Sequence, residues 1–166
     1  RSHNLYADAL LKVLGLRYRA KPGEVISSAG KGVQVIRSYW REKGLDTSSL
    51  RMFDGSGLAA SDKVTASFVC DLLVYMATKS KQADAFAASL PKAGLEGTVA
   101  GFLKGSALQG KALLKSGGMS RVRSYAGYIT QGDKRYAVAL IANNYSGENR
   151  AVLAGMENLF YGLFGN

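Results

Sequence analysis

The chain has 166 residues, 47% of them hydrophobic, which suits one compact domain, or a large piece of one, with a real core. Its 22 basic and 12 acidic residues leave a net charge of +10, which fits nucleic acid, anionic lipid or another acidic polymer as a partner. No uninterrupted apolar run reaches the length of a membrane span, and the lone cysteine, Cys70, excludes an internal disulfide and reads as a buried small hydrophobe.

Helix periodicity opens the chain. Leu5, Ala9, Leu11 and Leu14 predict a helix from Asn4 to about Leu16, with Ser2 or Asn4 as its cap and Gly15 near its end. Lys21-Pro22-Gly23 is a turn. A second helix is predicted from about Glu24 to Lys43, with Val25, Val33, Ile36 and Trp40 on one face and Gly44 stopping it. Leu50 to Phe53 reads as a short strand entering the turn Asp54-Gly55-Ser56-Gly57. Thr65 to Lys79 is apolar enough to predict a well-buried helix. Short helices are predicted over Gln82 to Ser89, stopped by Pro91, and over Gly97 to Leu103.

The last third changes period. Lys111 to Lys115, Val122 to Thr130 and Arg135 to Asn144 are rich in β-formers, and Gln131-Gly132-Asp133-Lys134 is a hairpin turn between the last two. Tyr125, Tyr128, Tyr136 and Tyr145 read as sheet packing. Residues 148 to 164 predict a final helix with Val152, Met156, Leu159, Phe160 and Leu163 inward. Helices, then an antiparallel meander, then a packing helix make an α+β architecture.

Basic residues are scattered, with no run of five and no basic aromatic-rich helix face, so nucleic acid is not the expected partner. The sequence starts at Arg1 without a signal-peptide pattern, and a helix follows within four residues. A fragment or a processed chain is therefore expected. His3 is the only histidine, and no Cys/His/Asp cluster has the spacing of metal ligands, so no metal site is expected.

Three groups of residues stand out. Ser2-His3-Asn4 is followed by Leu5-Tyr6-Ala7-Asp8-Ala9-Leu10-Leu11. Phe53-Asp54-Gly55-Ser56-Gly57-Leu58 is followed by Val64-Thr65-Ala66. Lys115-Ser116-Gly117-Gly118-Met119-Ser120 leads to Val122, Ala126-Gly127-Tyr128 and Asn143-Asn144-Tyr145. In this order and spacing they resemble the S-x-N motif, the D-G-S-G-L segment and the K-[ST]-G strand of the D-alanyl-D-alanine carboxypeptidase/endopeptidases, low-molecular-mass class C penicillin-binding proteins. The resemblance runs the whole length. It implies the C-terminal part of the serine β-lactamase/penicillin-binding transpeptidase-like fold, with residues 1–166 as a single C-terminal segment of that domain.

The resemblance also implies chemistry. The parent would cleave D-Ala-D-Ala stem peptides of peptidoglycan through a serine acyl-enzyme, and would take β-lactams in the same site. Ser2 would shuttle the proton, Asn4 would hold a substrate amide, and Lys115 would keep the potential positive. Ser116 would donate to the substrate carboxylate, Gly117 would leave room for it, and the Gly118 N–H would face the oxyanion. The location implied is periplasmic or otherwise extracytoplasmic, and no metal or organic cofactor is implied. The nucleophile's S-x-x-K motif would lie upstream of Ser2, in a missing N-terminal part. The two S-x-x-K matches present, Ser28 to Lys31 and Ser89 to Lys92, follow S-x-N, which is the wrong order.

Two positions depart from the family pattern. Gly118 stands where many members carry a hydroxyl residue, K-T-G-T, and Ala59-Ala60-Ser61-Asp62 replaces a more polar continuation of D-G-S-G-L. These departures suit the alternative of a non-catalytic cell-wall-binding module with a decayed site. For Ser2 and Asn4 the plainer reading is a helix cap. For Lys115 it is a solvated strand lysine, and for Asp54 to Gly57 a structural turn.

Overall fold

A computed structural model of the chain describes residues 2–165, so Arg1, on which the expectation of a processed chain rests, lies outside them. It contains five α-helices and one three-stranded antiparallel sheet among the described residues, the predicted α+β class. The chain divides into two compact units, Ser2–Phe68 and the part from Val69 onward.

The first unit is built on α1 (Asn4–Leu14), a 3-10 turn (Gly15–Arg17) and α2 (Ser28–Glu42). The two helices cross with their backbones close. A Cβ on Gly32 would come within 2.0 Å of the Leu11 carbonyl oxygen, so only glycine fits there. Leu11 and Val33 are buried at this crossing. α2 starts at Ser28 rather than Glu24, because Glu24 is used otherwise. Its carboxylate accepts from the Lys21 N–H at 2.9 Å and from the Tyr18 hydroxyl at 2.8 Å, closing the turn around Pro22-Gly23. Ser27 then caps α2 by accepting from the Gly30 N–H at 3.0 Å. Val25 is left outside the helix and fully exposed. Gly44 takes φ +87° and ends α2 as expected, its N–H bonded to the Arg41 carbonyl.

The predicted strand at 50–53 is reduced to one bridge, Arg51 with Lys63. The reason is local: the Asp62 carboxylate takes the Phe53 N–H at 2.6 Å, so a ladder cannot continue. The next helix, α3 (Ala66–Thr78), spans the division between the units. Its burial is less complete than its apolarity predicts. Phe68 and Leu73 are buried, but Val74 is exposed. Cys70 is half-buried, and desolvation, with the charge of Asp71, pushes its thiol pKa up, which suits packing rather than reactivity.

The second unit carries α4 (Ala83–Ala88), a 3-10 turn (Gly97–Val99), β1 (Ala112–Met119), β2 (Val122–Gln131), β3 (Lys134–Asn143) and α5 (Asn149–Phe164). The strands lie in the order β1-β2-β3 and are joined by two-residue hairpins, the second at the predicted Gly132-Asp133. β-propensity ends the first strand at Lys115, but β1 runs on through Ser116-Gly117-Gly118 because full pairing with Arg123 to Ala126 holds it. Tyr145 lies beyond β3, not on a strand.

Each face of the sheet has its own core. On one, Leu114, Tyr125 and Ile129 pack with Val99, Phe102, Leu103, Met156 and Phe160. Phe102 stacks on Tyr125 with ring centroids 3.7 Å apart. On the other, Leu73, Ala87 and Tyr128 cluster, and the Tyr128 hydroxyl donates to the Leu73 carbonyl at 2.7 Å. Each fully buried leucine or phenylalanine contributes about 1.5–3 kcal/mol relative to an exposed one.

Two expectations in this unit are corrected. The helix predicted over 97–103 is one 3-10 turn followed by irregular chain. There the buried Leu103 takes φ +61° and donates its N–H to Glu157 at 2.7 Å, so tertiary contacts override helical propensity. In α5 the inward stripe is Val152, Leu153, Met156, Phe160, Tyr161 and Phe164, while Leu159 and Leu163 point to solvent.

Candidate functional site

Ser2-His3-Asn4 sits at the head of α1. His3, not Ser2 or Asn4, holds the N-cap position, with extended backbone, and no side chain caps this helix. The plainer reading of Ser2 and Asn4 as caps is therefore corrected, and both side chains stay exposed. The His3 ring stacks on Tyr6 at 4.2 Å, which fixes the tripeptide against the first turn.

The D-G-S-G segment is a turn held by carboxylates. Asp8, one helical turn beyond Asn4, accepts from the N–H groups of Gly55 at 2.8 Å and Ser56 at 3.0 Å. A Cβ on Gly55 would come within 2.4 Å of the Ala7 carbonyl oxygen, so glycine lets the turn close on α1. Asp54 accepts from the Gly57 and Ala59 N–H groups, the latter at 2.7 Å. Burial pushes the Asp54 carboxyl up, but these amide bonds and a bond from Asp62 outweigh it and hold its pKa below the ordinary value. Asp62 is raised by burial first and then by the neighbouring Asp54 charge. Asp8 is the residue whose role sequence reasoning missed. A short acid on α1 after S-x-N was the only signal.

In the second unit, Lys115 to Gly118 lie on β1, an edge strand. Among the described residues, backbone hydrogen bonds cover the outer rim of β1 only at its start. There the Leu114 N–H bonds the Pro91 carbonyl at 3.0 Å, and the Ala93 N–H bonds the Ala112 carbonyl at 2.8 Å. Beyond Leu114 no strand follows among the described residues, so the rim opens at the K-S-G tripeptide. Side chains alternate along β1. Lys115 and Gly117 share the face of Leu113, while Ser116 and Gly118 share the face of Leu114.

The Lys115 ammonium bonds the Ser116 carbonyl, and desolvation holds its pKa below the usual lysine value. The residue itself stays exposed on the edge strand. The Ser116 hydroxyl is bonded to the Thr98 hydroxyl at 2.6 Å, a partner no motif announced. Ser124 lies over Gly117, and the Arg123 guanidinium lies over Gly118, its Nη1 2.5 Å from where a Cβ would be.

The S-x-x-K matches are placed as follows. Ser28 is the first residue of α2, exposed, with Lys31 one turn on and no bond between the side chains among the described residues. Ser89 is the C-cap of α4 and donates to the Phe86 carbonyl at 2.6 Å, while Lys92 has left the helix and bridges to Leu113. Ser89 and Lys92 therefore do not share a helical turn. No helix among the described residues is long and apolar enough to cross a membrane.

A family model described as the D-Ala-D-Ala carboxypeptidase 3 (S13) family matches residues 1–159. A D-alanyl-D-alanine carboxypeptidase of Actinomadura sp. (strain R39) is 32% identical, over 88% of this chain and 27% of its own length. Among solved structures, penicillin-binding protein 4 of Haemophilus influenzae, complexed with a β-lactam, superposes with a TM-score of 0.86 at 23% identity. It covers 100% of this chain and 40% of its own. The predatory endopeptidase Bd0816 of Bdellovibrio bacteriovorus gives a TM-score of 0.72 at 21% identity, over 98% of this chain and 40% of its own. The chain thus spans well under half the length of each of these proteins.

Proposed function

Because the chain belongs to the D-Ala-D-Ala carboxypeptidase 3 (S13) family, of the low-molecular-mass class C penicillin-binding proteins, we propose that the protein carrying it is a serine D-Ala-D-Ala carboxypeptidase or endopeptidase. It acts outside the cytoplasm on peptidoglycan stem peptides. Residues 1–166 contribute the S-x-N and K-S-G motifs as one C-terminal segment of the domain, and the nucleophilic serine lies in an N-terminal part beyond them. The observation that carries this reading is the edge strand β1, which is covered up to Leu114 and open from Lys115. An extended peptide can pair there, with a lysine on one face and a hydroxyl on the other.

The roles follow from chemistry. The serine oxygen attacks the carbonyl carbon of the penultimate D-Ala. Its proton passes through the Ser2 hydroxyl to the departing amine of the terminal D-Ala, and an ester remains. Water attacks the ester, transfers its proton back by the same route and releases the shortened peptide and the serine. The Gly118 N–H stabilises the negative carbonyl oxygen, together with an N–H from the nucleophile's own segment. Asn4 holds the substrate backbone amide. Lys115 supplies positive potential to the site, and Ser116 donates to the terminal carboxylate.

Incubation with a fluorescent penicillin, followed by mass spectrometry, tests this. The full-length protein is expected to form a stable adduct on a serine outside this stretch, and the 166-residue chain alone is expected to form none. An adduct on Ser28 would overturn the assignment of the nucleophile. No adduct on the full-length protein would favour the wall-binding module with a decayed site, the reading that Gly118 and Ala59 suit.

A further inference from the structure

We propose that Arg123 supplies the cationic anchor for the substrate's terminal carboxylate, in the space left open by Gly118 and beside a Ser116 hydroxyl oriented by Thr98. The inference rests on the proposed carboxypeptidase reading and names a residue that no motif of that reading contains.

The register places it. Arg123 pairs with Gly118 across β1 and β2, so its side chain rises on the same face as Ser116. The guanidinium does not stay over its own strand. It reaches across the edge strand and sits on Gly118, with Nη1 2.5 Å and Cζ 3.2 Å from the position of an added Cβ. A side chain at 118 would displace it. Glycine at 118 and arginine at 123 therefore form one arrangement, in which a cation takes the place of the hydroxyl residue of K-T-G-T.

The guanidinium is anchored but not used up. Nη1 donates to the Met119 carbonyl at 3.1 Å and the Val122 carbonyl at 3.0 Å, both in the hairpin that joins the strands. Among the described residues no carboxylate pairs with Arg123, and no hydrogen bond engages Nε or Nη2. Glu157, the nearby acid that faces Tyr125, already accepts from the Leu103 N–H at 2.7 Å. Arg123 is half-buried, where a charge-assisted, forked bond to a carboxylate is stronger than in open water.

Thr98 completes the pocket. Its 3-10 turn is held from both sides: the Gly94 N–H bonds the Val99 carbonyl at 2.9 Å, and Val99 is fully buried. The Thr98 hydroxyl can donate to Ser116 Oγ over their 2.6 Å contact, which leaves the Ser116 proton free to point at the anion.

The test uses the full-length protein and compares a penicillin with its methyl ester, which lacks the negative charge. Arg123→Ala is expected to slow acylation by the free acid by about 10–100-fold and to leave the ester rate within about twofold. Arg123→Lys should recover part of the loss. Adding Gly118→Thr to Arg123→Ala should also restore acylation, because it returns a hydroxyl to the vacated space. Thr98→Val and Ser116→Ala should combine less than additively. Equal losses for acid and ester, or a free-acid rate unaffected by Arg123→Ala, would overturn the proposal. Thermal melting separates a damaged hairpin from a lost anchor, and Arg123→Lys serves if Arg123→Ala fails to fold. If the unaltered full-length protein is not acylated at all, the carboxypeptidase reading itself has failed, and this is a separate outcome.

Discussion

The two units hold their motif residues by different physics. In the first, Ser2 and Asn4 stand at a helix end with no side-chain cap, and the nearest fixed point is polar: Asp8 gripping the amides of Gly55 and Ser56. In the second, Lys115 to Gly118 are fixed by strand pairing over a core in which Leu103, Leu114 and Ile129 are fully buried. Sheet register sets which face each side chain takes, so one slip would reverse Lys115 and Ser116. A helix end held by one carboxylate has no such all-or-none control. The K-S-G segment should therefore be held rigidly within its unit, and the S-x-N segment more loosely within its own.

The largest expected effect strikes the K-S-G strand. In the full-length protein, Lys115→Ala should cut the second-order acylation rate about 10²–10³-fold, the usual result of losing one well-placed electrostatic donor. Lys81→Ala should change little, since its charge is exposed and screened. Desolvation lowers the Lys115 pKa, so its charge is lost as pH rises before an ordinary lysine would lose it. Acylation by a carboxylate-bearing penicillin should fall on that alkaline limb, and Lys115→Arg, if active, should move the limb upward. Equal effects at Lys115 and Lys81 would make Lys115 a surface charge only.

A second experiment asks whether the two motifs work together. If Ser2 and Lys115 act in the same acylation step, the Ser2→Ala, Lys115→Ala double variant should be little slower than the worse single variant, about tenfold or less. Fully multiplicative losses would mean that the two motifs act independently.

What was legible in the sequence divides along the same line. Most of the β-meander and α5 were readable, because Val122 to Thr130 and the turn at Gly132-Asp133 carry period and turn signals. The second half of β1 was not readable by propensity, since Gly117 and Gly118 disfavour strands and only pairing holds them. In the first unit, S-x-N and D-G-S-G were legible as residues, but the contact joining α1 to the turn was not. It is a long-range bond between Asp8 and two backbone amides, which leaves no periodic trace. Thr98 and Arg123 were missed because their partners lie across a turn or a strand pair. The inward stripe of α5 was misread at Leu159 and Leu163, where spacing alone did not set the helix's rotation against the sheet.

The polar anchor of the first unit gives the next prediction. Asp8→Ala leaves two half-buried amides without an acceptor, which costs about 1–3 kcal/mol. Differential scanning calorimetry of the full-length protein should show that loss. Acylation should slow less than with Lys115→Ala, because α1 is loosened rather than emptied of a reacting group. Asp8→Asn keeps one acceptor oxygen and should fall between. An unchanged melting temperature for Asp8→Ala would show that the Gly32 crossing of α1 and α2 alone holds this helix.

The smallest effect concerns the carboxyl pair behind the same turn. Asp62 has a raised pKa in the folded protein, from burial and then from the Asp54 charge. Its contribution to stability is therefore present at low pH and is lost as pH rises through its folded pKa. Asp54, held low by the Gly57 and Ala59 amides, has the opposite sign: its contribution is present at neutral pH and is lost as pH falls through its folded pKa. At neutral pH the two charges repel across the turn. Asp62→Asn keeps an oxygen to accept the Phe53 N–H and offers an amide to Asp54, without the charge. It should stabilise the full-length protein at pH 7 by less than about 1 kcal/mol, given how much water screens the pair. The gain should vanish in acid, where Asp62 is protonated in the parent as well. Melting curves across the acid range would show the two proteins converging as pH falls. A gain that persisted unchanged into acid would mean that Asp62→Asn acts through packing or the unfolded chain rather than through the Asp54 charge, and the carboxylates would then be independent fasteners of the turn rather than a coupled pair.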